Sequence, residues 1–408
     1  MIFFKNFLYH VKFAFIHGAC ALQCFIITIL LFSQKCTAHT YTQLLPPKIN
    51  AASYILIDYD SGQVLAEMNA DSKRAPASLT KIMTSYIIGK LIDSGQIHPN
   101  DLVTINKDSW MLGNPDLKGS SVMFLQPGDQ VSISELTRGI ILQSGNDACV
   151  AIANYISGDQ NTFVGLMNDY ARQLNLKNTF FKNVHGLDIP GQFSSARDMA
   201  IISIALIRNV PREYQKYKEK EFTYNHIRQL NRNNLLWDKT LKVDGIKTGH
   251  TKSAGYNLAA SAIHDKMRLI SVLLGGKTSH DRDNDSKSLL KWGFRSFNTI
   301  LSLKSEEVFL KKPVFFGKVN KVDLGVKNNV YLTVPKGKEK EVIIEYTLNS
   351  NVLKAPLKKY EIVGKIIFKL NNTVIIESPL VVLEEINNGN IFNYIFDYIR
   401  LNIQNLYN

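Results

Sequence analysis

Strand-forming runs stand at both ends of a long helical stretch, and a chain built that way can share one core only if a sheet joins its distant ends. Near the start, Tyr54 to Met68 reads as two short strands around Asp60-Ser61-Gly62, which is turn chemistry, so a β-hairpin is expected there. Far downstream, Gly255 to Ile263 and Met267 to Gly275 repeat the pattern about His264-Asp265-Lys266, and a helical run from Asp281 to Arg295 follows. Between these lie helical candidates at Ser78 to Leu91, Ser134 to Leu142, Asp147 to Ile156, Thr162 to Leu174 and Ser195 to Ile207. Ser134 and Ser194 or Ser195 stand where N-caps belong. The expectation is an α+β fold in which one antiparallel sheet pairs the early hairpin with the late strands and helices flank it.

From about residue 304 the texture changes to short β-rich runs such as Val308-Phe309-Leu310, Val330-Tyr331-Leu332, Val342-Ile343-Ile344 and Val374-Ile375-Ile376, separated by Gly, Pro, Asn and Lys. This predicts a small all-β domain, without histidine or cysteine, suited to act as a spacer or docking module. The last eighteen residues change again: Asn393, Asp397, Arg400, Gln404 and Asn408 recur at helical spacing, while Phe392, Ile395, Phe396, Ile399, Ile403 and Leu406 fill much of the rest. Such a helix spans only about 27 Å at ~1.5 Å per residue and carries charges near its middle. It is expected to lie in a membrane interface rather than cross it, with Asn387-Asn388-Gly389-Asn390 as a linker; the alternative is a helix packed on its own β domain.

The first segment reads as a secretory signal. Lys5 and Lys12 precede an apolar run from Cys24 to Phe32, and Cys36-Thr37-Ala38 offers small residues for cleavage before His39; the alternative is a retained anchor. The expected division is therefore 1–38 signal, 39–300 catalytic domain, 301–386 β domain and 387–408 anchoring helix. Three of the four cysteines, Cys20, Cys24 and Cys36, fall in that signal, which leaves Cys149 alone in an apolar helical run. An exported chain with one thiol must hold itself together by packing. Losing Lys5, Lys12 and Lys35 with the signal takes the formal net charge from +13 to +10, and with no nucleic-acid-binding motif that balance favours an anionic surface. The remaining histidines, from His39 to His280, show no metal-ligand clustering, so neither metal nor cofactor is implied.

Three short motifs carry the chemistry, in fixed order: Ser78-Leu79-Thr80-Lys81, Ser144-Gly145-Asn146 and Lys247-Thr248-Gly249. Pro76-Ala77-Ser78 sits at a helix start, so Ser78 occupies the electropositive end and Lys81, one turn on, faces the same side. A lysine amine takes a serine proton only if it is neutral near pH 7, which needs a desolvated site or cationic neighbours; Lys247 is a candidate neighbour. Ser144 suits a proton relay to a leaving amine and Asn146 a hold on a substrate amide. Lys247 supplies positive charge, Thr248 a hydroxyl for a carboxylate, and Gly249 room for a peptide backbone to pair as an added strand.

The ordered set resembles the serine penicillin-recognising enzymes, and the surrounding words resemble specifically the low-molecular-mass penicillin-binding proteins, the D-Ala-D-Ala carboxypeptidases. Those words are Arg74 to Thr84, Gln143 to Ala148, His185-Gly186-Leu187-Asp188, and Val243 to Thr251. The resemblance covers residues 45 to 298 closely and the β domain and terminal helix in layout only, and it implies a β-lactamase/transpeptidase-like fold. It makes Ser78 the acylated serine, Lys81 its base, and Ser144 with Asn146 the second element. It puts the backbone N–H groups of Ser78 and His250 in an oxyanion hole, and Arg232 and Arg282 near the active site to meet a free terminal carboxylate. The implied substrate is a peptidoglycan stem peptide ending in D-Ala-D-Ala, with β-lactams as covalent inhibitors, at the periplasmic face of the bacterial inner membrane.

Competing readings are a DD-endopeptidase, a β-lactamase-like hydrolase and a penicillin-binding scaffold without turnover. A class A β-lactamase would carry Ser-Asp-Asn where this chain has Gly145, and a deacylating Glu-x-x-Leu-Asn loop; the one Glu-x-x-x-Asn between the second and third motifs, Glu221 to Asn225, has Tyr224 where leucine belongs and alternates like a strand. The side chains of His185 and His250 are read as structural, because a lysine-based site already accounts for the serine.

Overall fold

The computed structural model describes residues 44–407. The expected signal, with Cys20, Cys24 and Cys36, lies outside these residues, as does Asn408.

The two ends of the catalytic region do meet in one sheet. Its order is Val64–Met68, Ser53–Asp58, Met267–Gly276, Gly255–His264, Lys242–Thr251, antiparallel throughout. Ser53–Asp58 pairs directly with Met267–Gly276, as in Ile55 opposite Val272, across more than two hundred residues of sequence. Side chains alternate along these strands, and each face has its own core. Ile55, Ile57, Ile270, Val272 and Leu274 pack with Leu79, Ile82, Met83 and Tyr86 of the helical region. Tyr54, Leu56, Leu269 and Leu273 pack with Leu289, Leu290 and Trp292 of the helix Ser279–Ser296 on the other side. Truncating any of these buried leucines or isoleucines to alanine costs about 2–5 kcal/mol, which makes the sheet a rigid platform for the strand at its edge.

The expected helices are present at Thr80–Asp93, Ile133–Arg138, Asn146–Ser157, Gln160–Gln173 and Ala196–Asn209. Ser195 caps the last of these through its side chain, as expected. Ser134 is no cap: the helix begins one residue earlier than read, and Ser132 forms a capping box with Glu135. Beyond Arg138 the chain widens into a π-helical turn, Gly139–Gln143, which ends at Ser144 with φ of 66°. Cys149 is fully buried, and burial pushes its thiol up to about 12, so it behaves as a packing residue.

The strand Phe297–Leu303 runs on from the helix Ser279–Ser296 and pairs with Val330–Pro335. A six-stranded sheet completes the β-rich region around Val314, Leu324, Leu332, Ile366, Phe368 and Leu380. The hairpin turn near the start of the chain ties to it: Thr299 Oγ1 donates to Asp58 Oδ2 at 2.5 Å, the Ser61 and Thr333 hydroxyls meet at 2.6 Å, and Thr333 N–H donates to Gln63 Oε1 at 2.6 Å.

The terminal helix spans Ile391–Tyr407, and of its polar stripe Asp397 is buried and Asn393 and Arg400 are half-buried. Asp397 is 2% exposed and accepts a hydrogen bond from Phe316 N–H at 2.6 Å, while the Tyr394 ring stacks on Phe316 with centroids 4.4 Å apart. Phe392, Ile395, Phe396, Ile399 and Ile403 remain exposed. The segment expected to be a linker is held instead: Lys318 N–H donates to Asn387 O, Gly317 bridges Asn388, and Gly389 N–H donates to Phe316 O at 2.8 Å. Its backbone groups find partners along 316–318, so it docks the helix rather than swinging it. Among the described residues no helix is long and apolar enough to cross a membrane.

Candidate active site

A cleft of about 710 Å3 opens between the edge strand Lys242–Thr251 and the helical region, lined by Ser78, Ser144, Asn146, Arg232, Thr248, Gly249, His250 and Arg282 among others. Lys81 and Lys247 lie buried against it. All ten residues singled out in the sequence thus gather in one place.

Ser78 sits in a short 3-10 turn, Ala77–Leu79, that leads into the helix Thr80–Asp93. Spacing of three along that path brings Lys81 Nζ to 3.0 Å from Ser78 Oγ. Lys81 has two further partners, Asn146 Oδ1 at 2.7 Å and His185 O at 2.6 Å, and both only accept. A neutral amine keeps two N–H bonds for these acceptors, so its lone pair is left facing the serine hydroxyl. Burial draws the Lys81 ammonium from its ordinary value down to about 8, and Arg232 adds to the effect against Cys149 and Asp147. Near pH 7 roughly one molecule in ten then holds the amine neutral.

Lys247, the candidate cationic neighbour of Lys81, is itself depressed. Burial and then repulsion from Lys81, Arg232 and Arg282 hold Lys247 well below the usual lysine range. Its Nζ donates to Thr248 O at 3.3 Å.

The second motif forms at a junction of unusual backbone. Ser144 adopts a left-handed conformation and is 3% exposed, and its hydroxyl has no hydrogen-bond partner among the described residues. A buried hydroxyl left unsatisfied beside a cleft is available to a ligand. Asn146 spends Oδ1 on Lys81, which leaves its amide N–H groups for a substrate carbonyl. Asp147, next in sequence, is buried and accepts from Met123 N–H at 2.8 Å, Leu125 N–H at 3.2 Å and Ala148 N–H at 2.8 Å. Those bonds pin the wall of the cleft that carries Ser121, whose hydroxyl takes a bond from Arg232 Nη1 at 2.6 Å.

The third motif lies in the edge strand of the sheet, Lys242–Thr251. Gly249 passes so near the nucleophile that a Cβ there would stand 3.0 Å from Ser78 N. On the other side Gly186, at φ of 92°, passes Ala77 closer still, and an added Cβ would lie 1.9 Å from Ala77 O. The turn bearing Ser78 is wedged between two glycines. Across the cleft mouth Asp188 accepts from Thr251 Oγ1 at 2.7 Å and Ser253 Oγ at 2.5 Å. Arg282 is 5% exposed and paired with Asp283 at 2.7 Å, so it is no ordinary surface arginine.

Both imidazoles have partners of their own. His185 is buried, which drives its ring down to about 3 with help from Lys81, and its Nδ1 accepts from Leu187 N–H at 3.2 Å. His250 stacks on Tyr256 with centroids 4.1 Å apart. Glu221 lies in the strand Glu221–Tyr224, ion-paired with Arg228, and is not part of the cleft lining.

Residues 40–278 match the family described as D-alanyl-D-alanine carboxypeptidase, and residues 297–388 match the one described as penicillin-binding protein 5, C-terminal domain. The D-alanyl-D-alanine carboxypeptidase DacA of Escherichia coli (strain K12) is 59% identical over 355 residues, which cover 87% of this chain and 88% of that protein. DacC of the same organism is 53% identical over 355 residues, covering 87% and 89%. A solved structure of penicillin binding protein 5 from Haemophilus influenzae superposes with a TM-score of 0.82 at 48% identity, covering 84% of this chain and 99% of that one.

Proposed function

The chain belongs to the D-alanyl-D-alanine carboxypeptidase family, a family of serine peptidases, and from that premise we propose that it removes the terminal D-alanine from peptidoglycan stem pentapeptides through an acyl-enzyme on Ser78. One observation carries this reading: a buried lysine amine 3.0 Å from the serine hydroxyl whose other partners are both acceptors. The neutral Lys81 amine takes the proton of Ser78 as Oγ attacks the carbonyl of the penultimate D-alanine. The N–H groups of Ser78 and His250 receive the developing oxyanion, a contribution of about 3 kcal/mol for each well-aimed donor. As the tetrahedral adduct collapses the amide C–N bond breaks, and the departing amine collects its proton by way of the Ser144 hydroxyl. Water then cleaves the Ser78 ester, restores the serine and frees the shortened peptide.

Substrate orientation follows from charge. Thr248 and the guanidinium groups of Arg232 and Arg282, with Lys247 beside them, receive the free terminal carboxylate, which selects for a chain end. Asn146 donates to a backbone carbonyl of the stem peptide, and the edge strand offers it pairing groups. A β-lactam presents its strained amide to the same serine and forms an ester there, and none of the described residues lining the cleft is a glutamate. Release of D-alanine from a pentapeptide by the purified protein, lost in Ser78→Ala, tests the assignment; cleavage of a cross-linked dimer in preference to the pentapeptide would instead select the endopeptidase.

The signal-like first segment supports export to the periplasmic face of the inner membrane, and the terminal helix supports attachment there. Asp397 of its polar stripe holds the Phe316 N–H of its own chain, which leaves Phe392, Ile395, Phe396, Ile399 and Ile403 facing outward as an interfacial surface. Deleting residues 391–408 should release the protein from membranes without lowering turnover of a soluble peptide, and a truncated form that stays bound would exclude this helix as the anchor.

A further inference from the structure

One buried side chain joins the two walls of the cleft and takes no part in the steps above. Asn257 is fully buried in the strand Gly255–His264, directly opposite Gly249 of the edge strand. Its Oδ1 accepts from Gly275 N–H at 2.8 Å, and its Nδ2 donates to both Ala75 O and Pro76 O at 3.1 Å. A carboxamide offers one acceptor and two N–H donors, and here all are used. Few other side chains could do this. A carboxylate would set lone pairs against two carbonyl oxygens, and an alkyl group would strip Gly275 N–H and Ala75 O of this partner and leave Pro76 O with Leu79 N–H alone, at 3.2 Å.

The two carbonyls it holds precede Ala77, which sits at φ of 48°, a left-handed conformation that a residue with a Cβ keeps only where its surroundings enforce it. Ser78 follows immediately. The turn therefore has a glycine on either side, Gly186 against Ala77 O and Gly249 against Ser78 N, and Asn257 behind it. The same amide is part of the strand that pairs with His250, through Tyr256.

We propose that Asn257 is a positioning residue that fixes the turn bearing Ser78 against the edge strand, so that the N–H groups of Ser78 and His250 converge on one point. This rests on reading those two groups as the oxyanion donors. Misplacement of about 1 Å in such a site lowers rates by around a hundredfold. Free of the clamp, the left-handed Ala77 relaxes and the Ser78 N–H turns away from its partner donor.

The test uses the full chain carrying Asn257→Asp or Asn257→Ala, with rapid-mixing measurement of acylation by a fluorescent penicillin. Acylation is expected to slow by about ten- to a hundredfold with the non-covalent dissociation constant unchanged. A second readout is the infrared stretch of the 13C-labelled ester carbonyl in the acyl-enzyme, which is polarised by the oxyanion donors and should move to higher frequency in both variants. Thermal melts refer each rate to folded protein, and Asn257→Ser, smaller and still able to donate once, should give an intermediate slowing where the other two fold poorly. Wild-type acylation per folded molecule together with an unmoved carbonyl frequency overturns the proposal, whatever the change in melting temperature. Ser78→Ala run alongside separates the two levels: an adduct that persists there overturns the nucleophile assignment itself.

Discussion

Raising the pH from about 6 to about 10 should carry the rate of acylation up a single titration step centred near 8, where burial has brought the Lys81 ammonium. Only the neutral amine can take the serine proton, so the rate follows the neutral fraction. That fraction is about one in a hundred at pH 6 and about one in ten at pH 7, giving a rise of roughly a hundredfold from pH 6 to the plateau. Arg232 is the cationic neighbour that lowers Lys81, so Arg232→Gln should move the step to higher pH, by less than about one unit because burial is the larger cause. The assay is acylation by a chromogenic penicillin under single-turnover conditions. The same ionisation marks stability: between about 8 and 10.5 the unfolded lysine holds its proton and the folded one does not, so stability should rise with pH there, by about 1.4 kcal/mol per unit. A rate that is flat from pH 6 to about 9, or one that climbs only near the ordinary lysine value of 10.5, would refute the lysine-base argument.

Two further substitutions probe what surrounds the nucleophile and the tail. Gly186→Ala places a Cβ 1.9 Å from Ala77 O at a backbone φ of 92°, and should cost about 2–4 kcal/mol in a thermal melt and slow acylation about a hundredfold; near-wild-type values in both would show that the turn is not wedged. Asp397→Ala strips the Phe316 N–H of its acceptor, at a local cost of about 1–3 kcal/mol, so the helix and the Phe316 amide should exchange hydrogen faster while vesicle binding and D-alanine release hold; unchanged exchange would deny Asp397 its docking role.

Much of the site was legible because short spacings fix geometry. Three residues along a helical path put Lys81 beside Ser78 whatever the tertiary fold, and a sheet was the only way for Tyr54 to Met68 to share a core with Met267 to Gly275. What escaped notice depends on contacts between distant segments. Asn257 stands between Tyr256 and Leu258 and reads as a polar interruption in a strand; its meaning comes from carbonyls 181 and 182 positions away. Asp147 and Gly186 stood inside the recognised words, yet their jobs, holding the Met123 to Leu125 wall and passing Ala77 closely, need three dimensions. The terminal helix shows the limit most clearly. Periodicity revealed a narrow polar stripe, but a stripe does not say which side meets protein, and here the polar side does. Ser134 was misread as a cap because two serines, Ser132 and Ser134, flank the helix start, and the reciprocal bond with Glu135 favours the former.

Mass spectrometry after incubation with a penicillin tests the central claim most directly. The account predicts one covalent adduct per chain, mapped after digestion to the peptide containing Ser78 and absent in Ser78→Ala. An adduct on Ser144 or any other residue, or one that survives the Ser78→Ala substitution, would contradict it.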